Sequence, residues 1–423
     1  MPGLAFVAAK ENLNSIAVLT GALEADARTQ RLPLHFVWHD ARRGGRAIRR
    51  LEELASGTER LIVALSFSTA GQLAAAALLA GIRALDPRPY VVAGGPHPSA
   101  CPAQVLSLGA DAVVVGEGEA ALPPLLERVL AGRSPAGLPG VAVLDGGGAL
   151  LCGPQPAPLV LDDHPPFGLA HRRFGPVEIT RGCPCACAFC QTSFLFGGKM
   201  RHRSVENAVE WVRRGTEAGY RFVRFVTPNA FAYQSPDNGR TVNLAAIEAL
   251  LAGMASLVGR AEVYFGTFPS EVGPEMVTPE AVALVRRYCG NDNLIFGAQT
   301  GSDRLLRALR RRHTVADVYR ATRIVSAAGL TPIVDVIFGL PGEEAEDLAA
   351  TMCLMEDLVA MGAVLHTHTF MPLPGTPLAD APPGQVDPAL HPFLDRLASE
   401  GHQIGQWRRQ EEIARRATDR ARR

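Results

Sequence analysis

Four cysteines lie close together in the segment CPCACAFC, at Cys183, Cys185, Cys187 and Cys190. Cys183, Cys187 and Cys190 have the spacing C-x-x-x-C-x-x-C, and three thiolates spaced in this way can fold around one iron–sulfur cluster. The fourth iron of that cluster would have no protein ligand and would be open to a substrate. We predict a cluster ligated by these three thiolates, and we expect Cys185 to point away from it.

A structural zinc site is the alternative for thiolates packed this closely. Structural zinc normally draws two separated pairs of ligands, and the sequence has no second C-x-x-C pair. The remaining cysteines are scattered singly along the chain, at Cys101, Cys152, Cys289 and Cys353. Because that spacing is not typical of a disulfide framework, it favours a metal or catalytic site in a reducing compartment.

Composition sets further limits. The 423 residues are 47% hydrophobic and carry a formal net charge of +0, which does not favour a wholesale nucleic-acid or membrane binder. The N-terminus lacks a basic leader followed by an apolar run, and no apolar segment reaches the roughly 18 residues that span a bilayer. We therefore expect a cytoplasmic protein with no membrane span.

The first part of the chain alternates short apolar runs with amphipathic stretches, such as those at 69–84 and 118–131. The apolar runs are 4–8, 34–38, 61–67, 90–95 and 112–116. Strands interleaved with helices predict an α/β domain with a parallel, doubly wound, Rossmann-like sheet. Ligands of such sheets bind at the carboxyl ends of the strands.

The loop after the fifth run fits the dinucleotide-binding pattern G-x-G-x-x-A, at Gly116, Gly118 and Ala121. That pattern normally follows the first strand of the sheet. Here Glu117 and Glu119 would also direct two carboxylates toward a pyrophosphate, which disfavours dinucleotide binding.

Residues 1 to about 135 resemble the cobalamin-binding domain at the N-terminus of many radical S-adenosylmethionine (SAM) enzymes. The resemblance is carried by SFST at 66–69, GGPH at 94–97 and DAVVVGEGE at 111–119. It implies that these loops surround the corrinoid and its nucleotide tail. The implied cobalamin contacts are Ser66, Ser68, Thr69, Gly94, Gly95, His97, Gly116, Glu117 and Gly118. The alternative is that the loops are ordinary turns of an α/β domain whose ligand site has decayed.

The motif D-x-H-x-x-G, which supplies a histidine to the lower face of cobalamin in other proteins, is missing. Asp40, Arg42 and Gly45 mimic its spacing, with arginine in place of histidine. If cobalamin binds, we expect no histidine ligand from this motif.

A proline-rich segment, 152–176, predicts a linker between a first domain at 1–151 and a second at 177–380. Apolar runs in the second domain occur at 177–180, 222–226, 263–268, 294–299, 332–339 and 365–371. Helical patterns separate them, which predicts a partial (β/α)6 TIM-type barrel with its chemistry at the carboxyl ends of the strands. Residues 381–423 are expected to form a C-terminal helical extension.

The segment 177–377 resembles the radical SAM barrel, in the branch that carries a cobalamin domain. The cysteine triad is its hallmark, and FGAQTGSDRLLRALRRRHT (296–314), VDVIFGLPGE (334–343) and FMPLPGTP (370–377) also fit. The resemblance implies a [4Fe-4S] cluster whose open iron chelates SAM. The implied SAM contacts are Phe189, Pro228, Asn229, Ser270, Gln299, Thr300, Gly301, Arg311, Ile337, Gly339 and Met371.

Among these, Arg311 is the candidate partner of the SAM carboxylate, because a planar guanidinium matches two oxygens. A solvated helix face is the alternative for any one arginine of RALRRRHT. The sequence departs from the family at VTPN, 226–229, where many relatives have Gly-Gly-Glu, so Thr227, Pro228 and Asn229 would have to serve through their backbone. The fifth-strand signature also differs, with glycine at 342 and glutamate at 343.

Several polar residues fall at predicted strand ends of the barrel, where function concentrates. These are Tyr233, Ser270, Glu271, His366 and His368. Tyr233 and Glu271 are the candidate catalytic residues, able to transfer protons or to orient a substrate. Each of the five could instead be a polar residue with an ordinary structural partner.

Together these resemblances imply a cobalamin-dependent radical SAM enzyme that methylates an unactivated carbon of a small molecule or peptide. It would use a 5'-deoxyadenosyl radical, methylcobalamin and an electron donor such as flavodoxin or ferredoxin. A radical SAM enzyme that rearranges or cyclises its substrate, and a non-catalytic regulator that binds cobalamin or a cluster, are the alternatives. Methylthiotransferases share the barrel but carry three further N-terminal cysteines, whereas only Cys101 and Cys152 precede this cluster.

Overall fold

The computed structural model describes the backbone of residues 1–40 and 45–421, and the side chains as far as residue 417. The chain divides into two compact units, Met1–Gly175 and Pro176–Arg423. Arg42 of the D-x-H-x-x-G comparison lies outside the described residues.

A seven-stranded sheet forms the centre of the first unit. Its strands are β1 (Gly3–Ala8), β2 (Leu34–Trp38), β3 (Leu61–Ser66), β4 (Tyr90–Gly94), β5 (Ala112–Val114), β6 (Val141–Leu144) and β7 (Leu150–Cys152). The order is β2-β1-β3-β4-β5-β6-β7, with β1 to β5 parallel and the last two strands antiparallel. The parallel part confirms the predicted doubly wound sheet, and the strand order reverses between β1 and β3, where such sheets form a ligand crevice.

Helices cover both faces of this sheet. They are α1 (Leu13–Ala25), α2 (Arg46–Gly57), α3 (Gln72–Arg83), α4 (Pro96–Ala100), α5 (Pro102–Ser107) and α6 (Gly118–Leu130). Apolar residues of α2, α3 and α5 pack with Val63 and Leu65 on one face, whereas those of α1 and α6 pack with Ile62 and Ala64 on the other. Successive residues of β3 are therefore buried on opposite faces, as in a sheet covered on both sides.

The proline-rich segment packs onto the first unit. Phe167 is fully buried, and a Cβ on Gly21 would lie 2.6 Å from its carbonyl oxygen. The backbone N–H of Leu159 donates to Glu117 Oε2 at 2.9 Å. Because its apolar residues are buried in this way, the segment belongs to the first compact unit as far as Gly175.

The second unit contains the predicted parallel strands and three further short ones. The strands are β8 (Val177–Glu178), β9 (Thr180–Arg181), β10 (Arg201–His202), β11 (Val223–Val226), β12 (Val263–Tyr264), β13 (Asn293–Gln299), β14 (Thr331–Phe338), β15 (Val364–Thr369) and β16 (Gln403–Gly405). Parallel pairing gives the orders β12-β11-β8 and β13-β14-β15-β16, and a parallel bridge between Val272 and Phe296 connects the β12 side to β13. This arrangement confirms a partial barrel, which β16 extends by one strand.

Helices alternate with these strands. They are α7 (Thr192–Phe196), α8 (Val205–Glu217), α9 (Leu244–Val258), α10 (Pro279–Tyr288), α11 (Asp303–Ala308), α12 (Val315–Ala327), α13 (Ala345–Ala360), α14 (His391–Ser399) and α15 (Trp407–Ala421). Side-chain caps set several of their starts, since Ser204, Thr278 and Thr314 each accept a hydrogen bond from the backbone of the first turn. The last helix joins the barrel through Thr369, whose hydroxyl donates to the Trp407 carbonyl at 2.9 Å.

Candidate functional site

The cysteine loop follows β9 and is held at both ends by backbone contacts. Gly182 has φ 87°, and a Cβ there would lie 2.3 Å from the Lys199 carbonyl oxygen, so only glycine fits. Beyond it, the Cys183 N–H donates to the Gly197 carbonyl at 3.1 Å, and the Ala188 N–H donates to the Leu309 carbonyl at 3.0 Å. The loop therefore lies between α7 and the segment that follows α11.

Two of the predicted ligand thiols ionise easily. A hydrogen bond with the Cys185 thiol lowers the pKa of Cys183 to about 7. The same thiol, with help from the charge of Arg311, lowers the pKa of Cys187 to about 6. Burial instead raises the pKa of Cys190, whose thiol donates to Thr192 Oγ1 at 3.3 Å. Thiolates are the form that binds iron, so Cys183 and Cys187 are predisposed to ligation.

Cys185 does not point away from the other cysteines. The loop turns at residues 184–185, and the Cys185 thiol lies within hydrogen-bonding reach of both Cys183 and Cys187. These bonds raise the pKa of Cys185, because it serves as the proton donor between two more acidic sulfurs. The Cys185 thiol is therefore directed toward two of the predicted ligands, and its exclusion from the cluster stays a prediction.

Arg311 connects the cysteine loop to β13. Its Nη1 lies 3.4 Å from Cys187 Sγ, and its Nη2 donates to the Gly297 carbonyl at 3.3 Å. Burial acts to lower its pKa, but Cys187, Glu275 and Cys185 together outweigh burial and raise it. Its Nε is buried and has no hydrogen-bond partner among the described residues.

The end of β13 is irregular. Gln299 has φ 69°, and the pairing with β14 shifts between Gly297 and Gln299. Thr300 is fully buried, with its hydroxyl 3.0 Å from that of Thr351. Gly301 allows a close approach to α13, because a Cβ there would lie 2.4 Å from the Ala350 carbonyl oxygen. Two of the three predicted SAM contacts here thus have structural partners, and Gln299 adopts a strained backbone.

The loop after β11 carries Thr227, Pro228 and Asn229. The Thr227 hydroxyl donates to the Asn229 carbonyl at 3.1 Å, and Asn229 Nδ2 donates to Met276 Sδ at 3.2 Å. The side-chain oxygen of Asn229 is buried without a partner among the described residues.

The end of β14 also leaves an unpaired polar atom. Glu343 Oε2 accepts the Gly339 N–H at 3.1 Å, whereas its Oε1 is buried and unpaired in the described structure. Burial raises the pKa of this carboxyl to about 7. Ile337 packs with Phe189 in one apolar cluster around Phe370. Met371, two residues after β15, is half-buried.

These unpaired atoms bear on whether SAM fits. Nε of Arg311, Oδ1 of Asn229 and Oε1 of Glu343 belong to segments in which the SAM resemblance predicts contacts. A buried polar atom without a partner costs about 1–3 kcal/mol, which a polar ligand can offset. One N–H donor and two oxygens are atom types that a ligand with a carboxylate and an amino group can satisfy, and Arg311 also lies beside Cys187.

The candidate proton-handling residues differ in their surroundings. The buried Tyr233 donates its hydroxyl hydrogen to the Arg203 carbonyl at 2.7 Å, and Ser270 donates to the Thr267 carbonyl at 2.9 Å. Burial, with a contribution from Asp335, raises the pKa of Glu271 to about 7. His366 and His368 lie on β15 beside Asp335 of β14. Sequence reasoning missed Asp335, although a lone carboxylate inside the apolar run PIVDVIFG was a signal for it.

The predicted cobalamin contacts lie at the carboxyl ends of three neighbouring strands, β3, β4 and β5. Gly95 has φ 96°, and a Cβ there would lie 2.9 Å from Ser66 Oγ. Ser68 is exposed, and Gly116, with φ 82°, donates its N–H to Ser99 Oγ at 2.9 Å. Gly118 begins α6. The loops thus expose backbone and small side chains along one edge of the sheet.

His97 is tied to its own domain. Its Nδ1 lies 3.2 Å from the Thr69 hydroxyl, and its Nε2 lies 3.0 Å from Gln104 Oε1. Burial lowers the pKa of His97, which favours the neutral imidazole. Because both ring nitrogens have partners, His97 has a structural role at the end of β4, and Glu117 likewise accepts the Leu159 N–H.

Comparison with protein families identifies both domains. Residues 35–126 match the B12 binding domain, and residues 177–355 match the radical SAM superfamily. The chain therefore carries both a B12-binding domain and a radical SAM domain, which confirms the resemblance drawn from the sequence.

The curated relatives share about 30% sequence identity with this chain. An uncharacterized protein of Methanopyrus kandleri is 29% identical over 70% of this chain and 63% of its own length. A tRNA-2-methylthio-N(6)-dimethylallyladenosine synthase of Saccharophagus degradans is 31% identical over 49% of this chain and 44% of its own length. The chain thus spans less than two thirds of these curated relatives.

Solved structures share the fold. The radical SAM methyltransferase TsrM of Kitasatospora setae, with cobalamin and a [4Fe-4S] cluster bound, superposes with a TM-score of 0.68 at 19% identity. The alignment covers 90% of this chain and 74% of TsrM. The cobalamin-dependent SAM radical enzyme OxsB, with aqua-cobalamin bound, gives a TM-score of 0.64 at 17% identity over 84% of this chain and 52% of OxsB. Separately, none of the described helices is long and apolar enough to cross a membrane.

Proposed function

We propose that this chain is a cobalamin-dependent radical SAM enzyme that transfers a methyl group to an unactivated carbon of a small molecule or peptide. The observation that carries the proposal is the contact of Arg311 with Cys187, one of the three predicted ligand thiols, together with an Arg311 Nε that is buried and unpaired in the described structure. When bound, the [4Fe-4S] cluster and SAM supply hydrogen-atom abstraction, and cobalamin supplies methyl transfer.

In this proposal Cys183, Cys187 and Cys190 hold the cluster. Arg311 pairs with the carboxylate of SAM and keeps the Cys187 sulfur ionised. Phe189 and Ile337, which share one apolar cluster, exclude water beside SAM. Asn229 and Glu343 offer the buried oxygens that a polar ligand can satisfy.

The first unit holds cobalamin at the ends of β3, β4 and β5. Small residues at Gly94, Gly95 and Gly116 let a bulky ligand approach the backbone closely. His97 is not available as a cobalt ligand, because Thr69 and Gln104 occupy both of its ring nitrogens. An electron donor such as flavodoxin or ferredoxin reduces the cluster.

The test is anaerobic reconstitution of the full chain with iron, sulfide and hydroxocobalamin, followed by dithionite and SAM. Mass spectrometry measures 5'-deoxyadenosine, and absorbance measures bound corrinoid. We expect 5'-deoxyadenosine to form and one corrinoid to be bound per chain. The Cys187→Ala variant should lose iron and 5'-deoxyadenosine but retain corrinoid.

The matched control is Cys353→Ala, which removes an exposed thiol outside the loop. Cleavage of SAM without bound corrinoid would end the methyl-transfer proposal and reduce the first unit to a scaffold. A rearranged, unmethylated product from a later substrate search would favour the rearrangement alternative.

A further inference from the structure

Three polar side chains converge on one face of β14 and β15. Asp335 pairs with His366 in the register of the two strands, and His368 pairs with Ile337 two positions on. Side chains two residues apart on a strand share one face, so Asp335, His366 and His368 lie together. Oδ1 of Asp335 lies 2.8 Å from His366 Nδ1 and 3.5 Å from His368 Nε2, and the two nitrogens are 3.2 Å apart.

Gln410 of α15 fixes the tautomer of His368. Its amide oxygen accepts the Thr369 N–H at 3.0 Å, which orients the amide group. The amide nitrogen then lies 3.1 Å from His368 Nδ1, and it can only donate. Nδ1 of His368 is therefore the acceptor, and the ring proton of neutral His368 lies on Nε2, facing Asp335.

The tautomer of His366 follows from its short bond to Asp335. An ionised carboxylate only accepts, so at 2.8 Å the hydrogen lies on Nδ1 of His366. In neutral His366 the lone pair is then on Nε2, which makes no hydrogen bond to a described protein atom. The His366 side chain is 35% exposed, whereas that of Asp335 is 10% exposed. A substrate can reach the imidazole, while its carboxylate partner is shielded.

The charged surroundings favour protonation of His366. Its hydrogen bond to Asp335 raises its pKa, against a smaller effect of burial, and Glu271 raises it further. Burial would raise the pKa of Asp335, but the bonds from His366 and His368 outweigh it and lower that pKa. The other titratable groups near this cluster are Glu271, after β12, and Arg311, which opposes the rise in the pKa of Glu271. Strand β16 beside β15 carries no titratable side chain.

We infer that His366 is the proton acceptor for an O–H or N–H group of the substrate, with Asp335 as its positioning residue. The inference rests on the proposed function, because it assigns a substrate class to the same barrel. The substrate X–H bond breaks, its electron pair stays on the oxygen or nitrogen, and the proton bonds to Nε2. Asp335 stabilises the resulting imidazolium, and His368 and Gln410 hold the pair in place.

A mononuclear metal site is the competing use of these three residues, since two histidines and one carboxylate are a common ligand set. The donor atoms lie within 4.8 Å of one another. Ligation through His368 Nε2 would require a proton on Nδ1, which faces the amide nitrogen of Gln410. The Gln410 amide would have to turn over and leave the Thr369 N–H without its acceptor, so the hydrogen-bond network favours the proton acceptor.

The test uses the reconstituted full chain and diethyl pyrocarbonate, which modifies deprotonated imidazoles. Peptide mapping gives the modification rate of each of the 11 histidines as a function of pH. We expect His366 to react, with a midpoint above the ordinary histidine value of about 6.5. Asp335→Asn should lower that midpoint by about one pH unit or more. His402, outside the cluster, is the internal reference for the extent of modification in the wild type and the variant.

A second measurement needs no variant. Nitrogen-15 NMR of the histidine-labelled full chain should show the Nδ1–H tautomer for His366 and the Nε2–H tautomer for His368.

Three results would overturn the inference. Two of them are an unreactive His366 and a pH midpoint of its modification that is unchanged in a folded Asp335→Asn variant. The third is one equivalent of zinc or of non-cluster iron bound to the wild type and lost in the His366→Ala variant. None of these readouts requires SAM cleavage or corrinoid binding, so they can fail independently of the proposed function.

Discussion

Nη1 of Arg311 lies 3.4 Å from Sγ of Cys187, and the same guanidinium donates to the carbonyl of Gly297. One side chain therefore joins the cysteine loop to the end of β13. Its positive charge helps to keep the Cys187 sulfur ionised. Its Nε is buried and has no described protein partner.

We predict that Arg311→Lys weakens SAM binding while the cluster remains. Lysine keeps the charge but loses the planar set of donors, so two contacts cannot be made at once. Loss of one charged hydrogen bond should raise the Kd for SAM about tenfold. Equilibrium binding of labelled SAM to reconstituted protein measures this, beside an iron assay. The control is Arg307→Lys, which changes an exposed arginine of α11. Equal affinity of the two variants for SAM would contradict the prediction.

Cys185→Ser should leave the iron content unchanged, although the Cys185 thiol lies beside Cys183 and Cys187. Three thiolates complete the protein's share of a cluster with one open iron. The comparison is with Cys187→Ser, in which iron should fall sharply. A loss of about a quarter or more of the iron in Cys185→Ser would mean that Cys185 is a ligand.

The stability of the protein should depend on pH through Glu271. Burial raises the folded pKa of this carboxyl to about 7, above its value in an unfolded chain. The folded state therefore holds an extra proton between the two values, and its stability falls as pH rises from about 4.5 to 7. Glu271→Gln removes this loss. We expect the variant to match the wild type near pH 4 and to unfold at a higher temperature than the wild type at pH 8.

Thermal unfolding of the two proteins across this pH range is the measurement. Glu280→Gln, at an exposed position of α10, should show no such pH-dependent gain. A Glu271→Gln variant that is no more stable than wild type at pH 8 would show that folding does not raise the pKa of this carboxyl.

Gly95→Ala should destabilise the first unit. Gly95 has φ 96°, and a Cβ would approach Ser66 Oγ to 2.9 Å and Phe67 N to 3.0 Å. The left-handed backbone and the close contacts together should lower the free energy of unfolding by about 1–3 kcal/mol. Gly57→Ala is the matched control, because a Cβ there meets nothing within 4 Å. Chemical denaturation measures the difference, and equal stabilities would contradict the strain.

The sequence predicts those features that are local in the chain. The apolar runs correctly indicate all five parallel strands of the first sheet, because a helix separates each run from the next. The cysteine loop could also be predicted from the sequence, because its four cysteines lie within eight residues. The sequence analysis did not predict the hairpin of β6 and β7. Its strands VAVL and LLC are short apolar runs on either side of glycines, and no helix lies between them.

Features that depend on pairing between distant segments could not be predicted. Asp335 and His366 are 31 residues apart and meet only through the register of β14 and β15. Gln410, which contacts His368, lies 42 residues after it in the sequence. The orientation of Cys185 depends on the turn at 184–185, which the spacing of cysteines does not determine.

The contacts of Cys185 have a consequence for handling the protein in air. Its thiol lies within hydrogen-bonding reach of Cys183 and of Cys187, and the pKa values of those two thiols are lowered to about 7 and about 6. Thiolates attack oxidised sulfur, so oxidation of one thiol of this loop by oxygen would convert a neighbouring pair into a disulfide. A disulfide between Cys185 and either neighbour would remove one ligand thiol from the predicted cluster, so the loop must be reduced before iron and sulfide are added.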